Sequence, residues 1–327
     1  MSELLFGTAA NPVPHGITAG TFETRDHIRL RYACLPARTQ AKHGTVIILQ
    51  GRNESIEKYF ETMEDLAARG LTVFTFDWRG QGGSQRLLDD RLRGYVRHFD
   101  DYGADLDQIL TQIILPDCPA PFYVLAHSAG GLIALNSISV LAAHITRMVL
   151  CAPLMGLAQQ KISDSTMRRL TTFLCWIGLG RAYVAGGPKL MERPFADNPL
   201  SSDEKRFTRN AELQRNNPTL ALGGPTVRWT KSALQAARRL NQPDQFSETP
   251  IPTLIIAAGA DKVVSTAAIE RFVARTRNVS LVVIDGARHE LLQEADFYRA
   301  QALAAFDAFI PGTAAPKGTE STKADSV

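Results

Sequence analysis

The stretch Phe122-Tyr123-Val124-Leu125-Ala126-His127-Ser128-Ala129-Gly130-Gly131 constrains the fold of this chain more than any other. Its short apolar start suits a strand buried on both faces. The helix-spaced run Leu132-Ile133-Ala134-Leu135 follows directly. Only a sharp turn joins the two, and it falls on Ser128. Residues two before and two after such a serine must be small, and they are Ala126 and Gly130. A strand that breaks into a helix over a serine between small residues is the layout of a nucleophile elbow. Ser128 then stands at a helix N-terminus, where free N–H groups and the helix dipole favour negative charge. An ordinary serine N-cap is the plain alternative.

The rest of the chain supplies the sheet that such a turn needs. Ala19 to Leu35 reads as two antiparallel strands around Arg25-Asp26-His27. Thr45–Leu49, Thr72–Phe76 and Arg147–Cys151 are short apolar runs. Between them lie helical patterns: Ser55 to Arg69, ended by Gly70, then Tyr102 to Leu115 and Ala129 to Leu141. This alternation predicts an α/β fold, a mostly parallel central sheet with helices on both faces. It stops near Leu157 and returns at Thr253–Ala257 and Ser280–Ile284, each followed by a helix. The segment between has helical stretches and Pro/Gly breaks but no convincing strand, as a helical cap inserted into the sheet would. The expected organisation is an irregular N-terminus (1–16), a core (17–156 and 249–311), a helical cap (157–248) and a disordered tail (312–327).

Composition excludes little but helps. A chain of 327 residues can bury one large core. A net charge of +3 is too small to imply nucleic acid. Cys34, Cys118, Cys151 and Cys175 are widely spaced, which favours free thiols over disulfides or a zinc site. Met1 to Gly16 lacks the basic start and apolar core of a secretory signal, and Leu170 to Leu179 is too short and interrupted to span a bilayer. The expected location is the cytoplasm, with peripheral contact to the inner face of the membrane as a further reading.

A serine hydroxyl needs a base to take its proton, and the base needs a group to orient it. His289 follows the last strand and Asp261 follows the strand before it. In an open parallel sheet functional groups gather at these carboxyl ends. The chain order Ser128, Asp261, His289 is that of α/β-hydrolase triads. For the oxyanion, the backbone N–H of Ala129 is one expected donor. That of Arg52, in the loop Gln50-Gly51-Arg52-Asn53-Glu54, is the other. The Arg52 side chain is a separate candidate for a phosphate. His127, Asp77 and Ser84 read as structural.

Four motifs together carry a resemblance. They are Phe76-Asp77-Trp78-Arg79-Gly80-Gln81-Gly82-Gly83-Ser84, the elbow, Gly259-Ala260-Asp261-Lys262-Val263-Val264 and Gly286-Ala287-Arg288-His289-Glu290. From about Gly20 to Ile310 the chain resembles the monoglyceride lipase/lysophospholipase group of α/β-hydrolases. Gly223-Gly224-Pro225-Thr226-Val227-Arg228-Trp229 also resembles bacterial lysophospholipase-like members. The resemblance implies hydrolysis of a monoacyl lipid ester through an acyl-enzyme, with no cofactor and no metal. Two positions depart from the pattern: Ala126 replaces a glycine, and Gln50 replaces a histidine before the oxyanion-loop glycine. The rival readings are a prolyl-aminopeptidase-like peptidase, with Glu192, Asp203, Glu204 or Glu212 binding a substrate amine, and a catalytically silent ligand-binding relative.

Residues 157–248 hold 14 Lys and Arg against 8 Asp and Glu, whereas the rest of the chain is net acidic. Such a cap suits contact with anionic membrane headgroups, with Phe173, Leu174, Trp176, Ile177 and Leu179 as the apolar part. A solvated helical surface is the alternative. Trp176 and Trp229 are the candidate substrate-binding residues of the cap.

Overall fold

The strands are β1 (Thr18–Glu23), β2 (Arg29–Leu35), β3 (Thr45–Leu49), β4 (Thr72–Phe76), β5 (Phe122–His127), β6 (Ile145–Cys151), β7 (Glu248–Ala258) and β8 (Arg277–Ile284). They form one sheet in the order β1-β2-β4-β3-β5-β6-β7-β8. The β1–β2 and β2–β4 pairs are antiparallel, and every pair from β4 to β8 is parallel. The computed structural model describes residues 4–158, 162–184, 194–242 and 246–313. Most of the expected tail, from 314 on, lies outside them.

The burial of each strand follows from its place. β3, β4 and β5 are central and buried along their whole length, which is why they read as unbroken apolar runs. β8 is an edge strand, and Val282 and Val283 remain exposed despite their chemistry. β7 begins at Glu248, earlier than the apolar run at Thr253 suggests, because its first residues pair with the start of β8.

The helices are α1 (Phe60–Ala68), α2 (Asp100–Ile109), α3 (Leu115–Asp117), α4 (Ala129–Asn136), α5 (Ile138–Leu141), α6 (Asp164–Trp176), α7 (Glu204–Asn216), α8 (Val227–Leu240), α9 (Thr266–Arg275) and α10 (Asp296–Phe309). α1 puts Phe60, Met63, Leu66 and Ala67 into the core. Each such large apolar side chain contributes about 1.5–3 kcal/mol by leaving water. Two single helices expected from periodicity are interrupted. Wider π-type turns at Leu110–Ile114 separate α2 from α3. The helix after Ser128 breaks at Ser137, whose N–H is shared between the carbonyls of Ile133 and Ala134. Apolar spacing survives both interruptions, so periodicity alone does not reveal them.

Between β6 and β7 the named regular elements among the described residues are helices. Ser163, Asp203 and Thr226 cap α6, α7 and α8 with side-chain oxygens. These helices are not equivalent. α8 packs on α4 and α6, and its Trp229, Ala233, Ala236, Ala237 and Leu240 join the main core. α6 buries only Thr171 and Cys175 and leaves Leu170, Phe173 and Trp176 exposed. α7 is tied down by charge. Arg206 pairs with Glu61 of α1, with Asp296 of α10 and with Asp203, and Arg209 also meets Glu61.

Candidate active site

The parallel strands deliver the site residues to one edge of the sheet. β3 leads into Gln50–Glu54, β5 into Ser128, β7 into Asp261 and β8 into His289. Ser128 has φ 51° and ψ −114°, a conformation that costs a non-glycine residue about 1–3 kcal/mol. The turn is held from both sides. Ser128 N–H donates to Cys151 O at 3.0 Å, and Ser128 O accepts from Leu154 N at 3.0 Å. Close packing explains Gly130: a Cβ there would lie 2.1 Å from Leu49 O.

His289 Nε2 is 3.0 Å from Ser128 Oγ, and His289 Nδ1 is 2.8 Å from Asp261 Oδ2. Asp261 Oδ1 accepts from the N–H groups of Val263 (2.7 Å) and Val264 (2.9 Å). With His289 Nδ1–H donating to Asp261, Nε2 faces the serine hydroxyl. The His289 and Asp261 side chains are 4% and 0% exposed, so this relay is shielded from bulk water. Chain folding thus brings together all three residues that the motifs single out.

The N–H groups of Ala129 and Arg52 have no hydrogen-bond partner among the described residues. Neither is committed to another group in the described fold. The Arg52 loop is shaped by Glu54, whose carboxylate accepts from Gly51 N–H and from Tyr59 Oη (2.6 Å) and pairs with Lys58 at 2.8 Å. A side chain at Gly51 would collide with Glu54 and His127. Gln50 Nε2 donates to Thr75 Oγ1 at 3.2 Å, so this unusual residue braces β3 against β4, while its Oε1 has no partner among the described residues.

Sequence reasoning missed the buried charges that join these parts. His127 Nδ1 lies 3.2 Å from Glu54 Oε1, and His127 Nε2 lies 3.3 Å from the carbonyl of His289. Lys58 bridges Glu54 and Glu290, the residue after His289. Burial alone would lower the His127 pKa, but the Glu54 carboxylate more than reverses this and raises it. Burial likewise favours a neutral Glu54, yet Lys58 and His127 hold it well below the usual carboxylate range. The network therefore joins the oxyanion loop to the backbone of the base. Its one sequence signal is the i,i+4 spacing of Glu54 and Lys58. Asp77 and Ser84 brace their own turn: Asp77 accepts from Ile56 N and Gly83 N and pairs with Arg31, and Ser84 Oγ donates to Asp77 O.

A mainly apolar pocket of about 400 Å³ lies between α6, α8 and the Leu154–Leu157 segment, and its lining includes none of Ser128, Ala129, Asp261, His289 or Arg52. Trp229 lines it and is 8% exposed, whereas Trp176 is 81% exposed and is not part of the lining. Among the described residues no cluster of His, Cys, Asp and Glu is arranged to hold a metal ion.

A strained serine, a shielded histidine and an oriented carboxylate in this order on this sheet define an α/β-hydrolase of the serine type. Its relatives place it further. The family model described as serine aminopeptidase, S33 (Hydrolase_4) matches residues 40–296, and the chain belongs to that family. It is 33% identical over 293 residues to lysophospholipase L2 of Escherichia coli K12, covering 88% of this chain and 86% of that one. It is 32% identical to a probable lysophospholipase L2 of Haemophilus influenzae, covering 87% and 89%. Among solved structures, a soluble variant of monoglyceride lipase from Saccharomyces cerevisiae superposes with a TM-score of 0.72 at 19% identity, covering 93% and 97%. This last likeness speaks for the fold alone.

Proposed function

We propose that this chain hydrolyses the carboxylic ester of a monoacyl lipid, a lysophospholipid or a monoacylglycerol, through an acyl-enzyme. The carrying observation is the Ser128–His289–Asp261 geometry. Ser128 Oγ attacks the ester carbonyl as His289 Nε2 takes its proton, and Asp261 stabilises the imidazolium. The N–H groups of Ala129 and Arg52 receive the oxyanion. His289 then protonates the leaving alcohol and activates the water that frees the acid. The pocket beside Trp229 suits an acyl chain, and the lysophospholipase relatives support the substrate class.

The cap contributes a second part of the reading, contact with anionic lipid. Phe173, Trp176, Ile177 and Leu179 are exposed on or just after α6. Arg168 and Arg169 share that helix, and Arg181 follows it. Apolar contact with flanking cations suits an interface of anionic headgroups. Among the described residues no helix is long and apolar enough to cross a membrane.

The peptidase alternative needs a carboxylate free to bind an amine. Asp203 is committed to capping α7 and to Arg206. Glu204 is exposed on α7, which also carries Glu212. Glu192 lies outside the described residues. Asp164 lines the pocket but shares it with Arg168 and Arg238.

A fluorophosphonate probe tests the mechanism: it should label the wild type and not Ser128→Ala. A panel of lysophospholipids, monoacylglycerols and aminoacyl amides tests the substrate class, and turnover of the amides alone would overturn it. Vesicle sedimentation tests the cap. Binding that is equal for anionic and neutral vesicles and insensitive to salt would refute the headgroup contact.

A further inference from the structure

Arg52 has a peculiar environment for a buried cation. Its Nη2 donates to the carbonyl of Gly223 and its guanidinium carbon lies 5.3 Å from the centre of the Trp229 ring. Its Nε has no partner, and no carboxylate pairs with it among the described residues. Several other buried arginines of this chain meet acids. Arg31 pairs with Glu57 and Asp77, Arg79 with Asp26 and Asp105, and Arg299 with Asp65. Burial without a counter-ion pulls the Arg52 pKa down to about 10. Such a charge is costly to keep unless something negative visits it.

The position is informative as well. If the Arg52 N–H is the second oxyanion donor, as proposed above, its guanidinium lies within one side-chain length of the ester carbonyl. In a lysophospholipid only the glycerol carbons separate that ester from the phosphate. The guanidinium is also held in place: a Cβ on Gly94 would come 2.5 Å from Nη2, and Trp229 covers it with a ring that also lines the apolar pocket. Among the described residues Arg86 likewise meets carbonyls and no carboxylate: it donates to Gly80 O, and to Thr219 O and Ala221 O on the same cap segment. Carbonyls of Thr219, Ala221 and Gly223 thus receive two arginines of the core. A planar guanidinium whose Nε lacks a partner among the described residues suits a phosphate oxygen.

We infer that the Arg52 side chain is a headgroup subsite that binds the phosphate of a lysophospholipid while the N–H of the same residue serves the ester. This rests on the ester-hydrolase reading above and makes one residue decide between phosphorylated and neutral monoacyl lipids. A purely structural Arg52, latching the loop to the cap, would affect both substrates alike.

The test compares wild type, Arg52→Met and Arg52→Lys on a lysophospholipid and on a monoacylglycerol of the same acyl chain. Both variants keep the backbone N–H, and circular dichroism with fluorophosphonate labelling checks that they fold with a reactive Ser128. In Arg52→Met, kcat/KM for the lysophospholipid should fall roughly 10- to 100-fold more than for the monoacylglycerol, the range of a lost charge-assisted hydrogen bond. Arg52→Lys should fall between the two. Equal losses on both substrates, or none, would overturn the subsite. Calorimetry with glycerol phosphate gives a readout independent of turnover: wild type should bind it and Arg52→Met should not. Inorganic phosphate that inhibits both esters equally through Arg52 would mark a free-anion site and refute the headgroup assignment. A wild type that cleaves neither lipid would sink the ester reading, and the calorimetry would still decide whether Arg52 takes a phosphate.

Discussion

Gly130→Ala probes how the elbow sets the oxyanion geometry. The added Cβ would stand 2.1 Å from Leu49 O and 2.6 Å from Gln50 O, where real contacts do not fall under 3.0 Å. The turn and the end of β3 must therefore part by at least 0.9 Å (3.0 − 2.1). Both sides of that contact carry a proposed oxyanion donor: Ala129 immediately precedes Gly130, and Arg52 lies just beyond Gln50. Overpacking of this kind costs about 1–3 kcal/mol, within what a domain of this size survives. A displacement of about 1 Å in a preorganised site costs about 100-fold in rate. The assay is kcat and KM on a soluble chromogenic ester, the rate of fluorophosphonate labelling and the urea midpoint. Turnover and labelling should fall together by about 100-fold, with KM nearly unchanged and the midpoint lowered. A folded variant with kcat within about threefold of wild type would refute the idea that this contact sets the donors.

Other perturbations follow from the same geometry. Asp261→Asn should lower kcat by about 10⁴-fold, because the amide favours the wrong imidazole tautomer, and a loss under tenfold would argue against the orienting role. The Glu54–His127 pair should stabilise the fold most between pH 4.5 and 6.5. The raised His127 pKa means its contribution is complete below 6.5 and fades as pH rises through the folded value. The depressed Glu54 pKa means its contribution is present above 4.5 and fades as pH falls through the folded value. A double-mutant cycle with Glu54→Gln and His127→Asn, read by urea midpoints near pH 5.5 and near pH 8.5, should show weaker coupling at the higher pH; equal coupling would contradict this. Arg206→Ala removes the bonds from α7 to Glu61, Asp203 and Asp296 and should cost about 1–3 kcal/mol in chemical denaturation. Asp296→Asn should cost under about 0.5 kcal/mol, since that carboxylate is exposed, and a larger loss would point to another role.

Much of the fold was legible because it is written in local pattern. The apolar runs of β3, β4 and β5 announce central parallel strands, and Ala126, Ser128 and Gly130 announce a sharp turn between strand and helix. Asp261 and His289 stood out by their place after strands. What stayed hidden depends on neighbours distant in the chain. The edge position of β8, which leaves Val282 and Val283 in water, is a property of the sheet rather than of the strand. The division of labour in the cap, with α8 packed into the core and α6 facing outward, depends on which surface meets α4.

The sequence by itself determined the strand and helix alternation, the strained serine turn and the chain order of the three site residues, because backbone sterics and apolar periodicity act between near neighbours. Tertiary structure alone decided that Glu54, Lys58, His127 and Glu290 form one buried network and that Arg52 lies over Trp229 with no carboxylate partner among the described residues. It also set the 3.0 Å between His289 and Ser128, residues 161 positions apart. The physical reason is that the state of a charge depends on what desolvates and what opposes it. Both are supplied by elements that chain folding, not chain order, brings together.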